Sequence, residues 1–249
     1  MGTEAESLSM ERPAFYAPRS GAWRDWWTIL HPPYTAWHLS YVAIGACLAP
    51  RVDGGRLVAT MLAFFFAVGI AAHALDELHD RPLHTAIPDS WLIGLAIGGT
   101  TIACALGLAG VARVGPGLVV FIAIGLALLV GYNLELFGGL IHTDVGFAAS
   151  WGAFPVLVGY FVQADSLDLT AALAALAAFG FSLAQRSLST PARALRRRTE
   201  RVDGTVTMHD GSVNAIDAPA LLRPLERALM ALSWAMVALA LALVANRVA

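Results

Sequence analysis

Long apolar runs alternate with short polar breaks along almost the whole chain. Runs able to cross a hydrocarbon core of roughly 30 Å recur at 35–50, 57–75, 91–112, 116–137, 147–163, 169–184 and 228–245. The pattern predicts an all-α integral membrane protein, a bundle of about seven transmembrane helices, with six or eight as the neighbouring counts. The first run is short and can gain length from residues 26–30. The fifth contains Pro155, which neighbouring helices can accommodate within a bundle. Residues 1–30 lack the basic-then-apolar pattern of a signal peptide. They carry Trp23, Trp26 and Trp27 beside Arg24 and Asp25, which suits an interfacial helix or a headgroup-level anchor. The expected division is an N-terminal cytoplasmic or interfacial segment (1–30), a six-helix membrane core (31–185), a cytoplasmic Arg-rich loop (186–227) and a final transmembrane helix (228–249).

Composition narrows the class further. Of 249 residues, 57% are hydrophobic and 14% are charged, whereas soluble domains run near a quarter charged. A soluble globular domain is excluded on that balance, and the lipid bilayer is the first expected partner. All sixteen cationic residues are arginine, and their placement sets the orientation. With the N-terminus cytoplasmic, the inside segments hold Arg12, Arg19, Arg24, Arg81 and the eight arginines from Arg186 to Arg227, and the outside keeps Arg51, Arg56, Arg113 and Arg247. That excess satisfies the positive-inside rule and leaves the C-terminus outside. All seven histidines then fall in cytoplasmic segments or cytoplasmic half-helices, so chemistry is expected on that face. Cys47 and Cys104 each sit inside an apolar run without paired spacing, which suits helix packing.

Three constellations could carry chemistry. The second run ends in AAHALDELHDRPLHTAIP, where His73, Asp76, Glu77 and Asp80 stand at i, i+3, i+4 and i+7, one face of a helix. With His79 nearby, such a face can coordinate a divalent cation or accept protons; equally, it can be a helix end emerging into water. The fourth run leads into GYNLELFGGLIHTDVGF, with Tyr132, Asn133, Glu135, His142 and Asp144. Glu135 follows a long apolar stretch and is expected to be buried with a partner, His38 being one candidate, although Gly138 and Gly139 can break the helix before His142. The third is AQRSLSTPARALRRRTERVDG, where Ser189, Thr190 and Pro191 suggest a helix start. Arg186, Arg193, Arg196, Arg197 and Arg198 could hold a diphosphate bidentately or meet anionic lipid headgroups. Nucleic acid is excluded as a partner, since the basic run is short and interrupted by Glu200 and Asp203.

Together LHPPYTAWHLSYVAIGACLAP, HALDELHDRPLHTAIP and GFAASWGAFPVLVGYFVQADSLDLTAALAALAAF resemble the UbiA superfamily of intramembrane prenyltransferases. The resemblance covers about 30–185. It implies a UbiA-like bundle, a cytoplasm-facing cavity and an isoprenoid or other long apolar substrate. Where the family carries an NDxxDxxxD motif that binds magnesium and the prenyl diphosphate, this chain has His73, Asp76, Glu77 and Arg81. Where the family has its second Asp-rich motif, this chain reads Gln185, Arg186, Ser187 and Leu188, so the second magnesium site is lost.

The leading expectation is therefore a divergent UbiA-like enzyme, with Asp76, Glu77 and Glu135 as catalytic candidates. Arg81, Arg186, Arg193, Arg196, Tyr132 and Asn133 are candidates for binding substrate, and arginines replace the second metal in offsetting a diphosphate. In that version Asp76, Glu77 and Asp80 hold one magnesium. In an alternative version His38, His73, His79, Glu135 and His142 form a zinc, iron or manganese site for hydrolytic or oxidative chemistry. A third version is a lipid or quinone carrier without chemistry. The orientation is testable apart from any of these. A reporter inserted near Gly204 should report an inside location and one fused after Ala249 an outside location; Gly204 outside would overturn the assignment.

Overall fold

A computed structural model describes residues 12–18 and 23–248; Arg19 and much of the expected N-terminal anchor lie outside the described residues. The fold is nearly all-α. In chain order the elements are α1 (Arg24–Ile29), α2 (Pro32–Leu48), α3 (Gly54–Leu78), α4 (Asp89–Val114), α5 (Leu118–Asn133), α6 (Asp144–Ala164), α7 (Leu169–Arg197), β1 (Gly204–Thr207), β2 (Val213–Ile216) and α8 (Ala218–Val248). Among the described residues α3, α4, α6, α7 and α8 are long and apolar enough to cross a membrane. The shorter α5 has 16 residues and α2 has 17.

Local chemistry explains most boundaries. The Asp53 side chain accepts from the Arg56 backbone N–H to start α3, Thr143 accepts from Gly146 to start α6, and Asp168 accepts from Ala171 to start α7, as side-chain oxygens at helix N-caps do. Proline in the first turn of α2 costs no hydrogen bond. Where the sequence suggests a helix start at Ser189, Thr190 and Pro191, α7 instead runs straight through Pro191 to Arg197. The acceptor that Pro191 fails to reach is the carbonyl of Ser187, and both residues are exposed, so water can serve it. The expected Arg-rich loop is thereby reduced to residues 198–217. It holds a solvent-exposed antiparallel hairpin, with Gly204 opposite Ile216 and Thr207 opposite Val213, and α8 begins at Ala218 rather than near 228.

The core is organised around α2, which packs along α6 and α8. A Cβ on Gly45 would overlap the Val156 carbonyl, and one on Gly159 would overlap the Val42 carbonyl. Small residues at reciprocal positions thus bring the two backbones into contact, as close-packed membrane helices require. Trp37, Tyr41, Val156, Ala175, Ala178 and Met236 fill the space beside this crossing. Both α3 and α6 widen into π-helical turns, at Phe65–Ala72 and Ala148–Ala153. The two widened segments meet in one cluster of Val68, Ala71, Ala72, Leu129, Tyr132 and Trp151; such bulges often mark functional sites.

Candidate functional site

On α2 and the residue before it, His31, Tyr34, His38 and Tyr41 recur at three- and four-residue spacing and so share a face. The inward stripe of α7 is Ala171, Ala175, Ala178, Ser182, Gln185, Ser189 and Ala192. The two helices run antiparallel. Ala49 packs near Ala171 at one end, the Ser182 hydroxyl donates to the Tyr41 hydroxyl at 3.2 Å midway, and Tyr34 packs near Ala192 at the other end. Polar side chains therefore face one another increasingly toward the start of α2 and the end of α7.

At that end residues 12–17 fold back across the helices. The Arg197 Nε–H donates to the Pro13 carbonyl at 3.1 Å and Arg196 to the Arg12 carbonyl at 3.3 Å. Phe15 and Tyr16 meet the Tyr34 ring edge-on, with centroids 6.3 and 5.8 Å away. The Tyr16 hydroxyl and His31 Nδ1 share a hydrogen bond at 2.5 Å, and the centroid of the His31 ring lies 4.4 Å from that of His73. Burial, then Tyr34, pushes the Tyr16 hydroxyl well above its ordinary range. Burial, then His73 and the arginines Arg197 and Arg193, holds His31 well below the usual histidine range, so its ring is neutral.

Charge at this end is lopsided. Asp76 on α3 lies in the field of Arg193, Arg197 and His142, and among the described residues no hydrogen bond reaches its carboxylate. Among the described residues Arg193 donates only to the Thr190 hydroxyl, at 3.5 Å, and no carboxylate closes on it. Arg186 does bind Asp144, at 2.8 Å, and lies over the Phe147 ring, 5.2 Å from its centroid. Tyr132 stacks on His142 with centroids 4.5 Å apart and faces the same charges. The arrangement gathers arginine and tyrosine side chains around Asp76 at this end of the bundle, a polar recess between α2, α3 and α7 in which, among the described residues, Asp76 has no hydrogen-bonded cation.

Several expected site residues serve the scaffold instead. Glu77 is fully buried, and its carboxylate accepts from the Leu83 and Thr85 backbone N–H groups and the Thr85 hydroxyl at 2.8 to 3.0 Å. It thereby closes the loop after α3. Helix α3 ends at Leu78; His79 is extended and Asp80 and Arg81 are left-handed, so Asp80 leaves the face that His73 and Asp76 share, and His79 and Asp80 are exposed. Arg81 binds Asp89 and the Thr85 and Ile87 carbonyls. Asn133 donates to the Leu129 carbonyl of its own helix. Arg196, 4% exposed, grips both oxygens of Glu226 on α8. Glu135 is exposed rather than buried, because α5 stops at Asn133 and left-handed residues at Glu135, Phe137, Gly138 and Gly139 turn the chain outward. Its carboxylate meets His142, at 3.6 Å, rather than His38.

The histidines are fixed one by one. The Nδ1–H of His38 donates to the Trp151 carbonyl at 2.8 Å, that of His73 to Gly69 at 3.2 Å and that of His142 to Tyr132 at 3.0 Å. Among the described residues no three histidine, cysteine or carboxylate side chains come together as a ligand set. The donors among the described residues, as they are placed, do not form a ligand set for magnesium or a transition-metal ion. Tyr16, His31, Tyr34 and Gln185 were not expected at the site, although the polar stripe of α2 carried the signal.

An apolar cavity of about 170 Å³ lies beneath this recess between α3, α4, α5 and α6. Leu129 and Trp151 line its inner end, Ala67, Ile122 and Phe154 its length, and Arg56 and Arg113 its far end. From Leu118 to Leu129 the lining follows α5 for roughly 16 Å at the helical rise.

The Glu77 assignment predicts a stability effect. Glu77→Ala should lower unfolding stability in detergent by about 3 kcal/mol, since three buried donors lose their acceptor; Glu77→Gln, which keeps one acceptor oxygen, should cost less. Unchanged stability of Glu77→Ala would contradict the assignment.

No family model, no curated protein and no solved structure matches the chain.

Proposed function

We propose that this chain is a UbiA-like membrane protein that takes an isoprenoid or other long-chain substrate by an anionic head, and that it carries out prenyl transfer. On this reading α2 and α5 complete seven crossings and the recess faces the cytoplasm. The observation that carries the proposal is Arg193 beside Arg197, Asp76 and Tyr34 with no carboxylate closed on it among the described residues. A diphosphate brings about three negative charges into a medium of low effective dielectric and needs fixed cations there. Arg193, Arg197 and Arg186 provide them, and guanidinium groups suit phosphate oxygens bidentately. The apolar cavity, reaching Trp151 under the recess, suits the chain that follows such a head.

In prenyl transfer the bond between C1 and the diphosphate oxygen breaks, and its electron pair leaves with the diphosphate. The arginines offset the charge that grows on that oxygen, the substrate nucleophile forms the new bond to C1, and the proton it loses leaves with the diphosphate. The resemblance assigns magnesium to this role, but Glu77 is filled by backbone donors and Asp80 points away from Asp76. The guanidinium groups carry the load here.

A farnesyl or geranylgeranyl diphosphate should stabilise the purified protein thermally, in magnesium and in EDTA alike. At a hundred times Kd the gain is about 2.7 kcal/mol. Arg193→Ala should lose most of the shift, whereas Arg51→Ala at the opposite end should keep it. No shift up to about 1 mM, where a Kd near 10 μM would give that gain, would overturn the proposal, and a shift abolished by EDTA would overturn its metal-free form.

A further inference from the structure

Gln185 is 3% exposed, and its side-chain Oε1 is buried without a hydrogen-bond partner. Among the described residues neither end of its amide is bonded. Buried polar groups are nearly always paired, and an orphan asks what completes it. Its level in the bundle is that of His38. From the Tyr41–Ser182 contact, one turn toward the start of α2 reaches His38, and one turn toward the end of the antiparallel α7 reaches Gln185. A third element agrees. Gly152 abuts Ser182, and on α6 the turn before it holds Phe147, whose ring contacts His38 at 6.0 Å and Arg186 at 5.2 Å. His38 is itself buried. Its Nδ1–H is spent on the Trp151 carbonyl, so the neutral ring presents Nε2 as an acceptor, and no partner meets that atom among the described residues.

We infer that Gln185 and His38 form a hydroxyl-recognition station, deeper than the arginine recess, for an alcohol group of a second substrate. A hydroxyl both donates and accepts. It can give its proton to His38 Nε2 or Gln185 Oε1 and take a bond from the Gln185 amide N–H, so it satisfies the pair whichever way the amide is turned. An ether oxygen can only accept, and a hydrocarbon does neither. The station explains why a glutamine rather than an apolar residue sits on the otherwise small-residue stripe of α7. The inference deepens the proposed function, since the alcohol would be the group that meets the prenyl chain, but the recognition itself does not depend on a diphosphate.

The test uses 1-hexanol and methyl pentyl ether, which have the same atoms and differ in the O–H. The probes are titrated against the full chain in nanodiscs, with thermal unfolding as the readout. Wild type should bind the alcohol at least about tenfold more tightly than the ether, as sites built around a substrate hydroxyl do. Gln185→Leu should erase that preference while leaving the melting temperature of the free protein unchanged or higher, because an orphan replaced by an apolar group of similar size removes an unpaired acceptor. Arg193→Ala should keep the preference, and Gln185→Leu should keep the diphosphate shift. Equal binding of alcohol and ether by wild type, or a preference that survives Gln185→Leu, overturns the station. Alcohol preference without any diphosphate response would instead overturn the anionic-head reading and leave the station standing.

Discussion

The backbone contact between α2 and α6 sets the terms for everything else in the bundle. Gly45 and Gly159 admit the Val156 and Val42 carbonyls where any side chain would collide, and that contact holds α2 at the centre. Without a hydrophobic drive between helices in lipid, packing of this kind has to supply the association. Because α2 is central, its polar face is central too. His31, Tyr34, His38 and Tyr41 are drawn inside and must find partners there, which they do on α3, α6, α7 and the returning N-terminal residues.

That burial imposes a division of labour among charges. Carboxylates and arginines that could neutralise one another at the recess are mostly committed elsewhere: Glu77 to the loop after α3, Arg196 to Glu226, Arg81 to Asp89. Asp76, Arg193 and Arg197 remain facing a shared space with tyrosines around them. Arg197 meanwhile holds the Pro13 carbonyl, a neutral oxygen in a position that a charged oxygen would hold more strongly. The proposed anionic head is the ligand that this uneven distribution suits.

Much of this was legible in the sequence, and the failures have physical causes. Apolar runs located the helices, and Asp76, Tyr132, Arg186 and Arg193, singled out by residue type, do lie within one another's fields at one end of the bundle. Helical spacing overreached at Asp80, because a hydrophobic window cannot see that His79 turns extended and Arg81 left-handed. It misjudged Glu135 because two glycines and a left-handed phenylalanine turn the chain out of the bundle. Pro191 read as a boundary, yet an exposed turn tolerated it. Glu77 looked like a metal ligand since two of its three donors are backbone N–H groups six and eight residues later, which carry no side-chain signature. Gln185 drew notice only as a missing aspartate; its unpaired amide is a property of packing and not of pattern.

The most direct measurement of the anionic-head proposal is an experimental structure of the protein in lipid with a non-hydrolysable prenyl thiodiphosphate. Phosphate oxygens should then lie within hydrogen-bond reach of Arg193, with the Pro13 carbonyl displaced from Arg197 and the chain running past Trp151 toward Ile122. A diphosphate bound elsewhere, or a recess unchanged with Arg197 still on Pro13 and nothing against Arg193, would contradict the proposal.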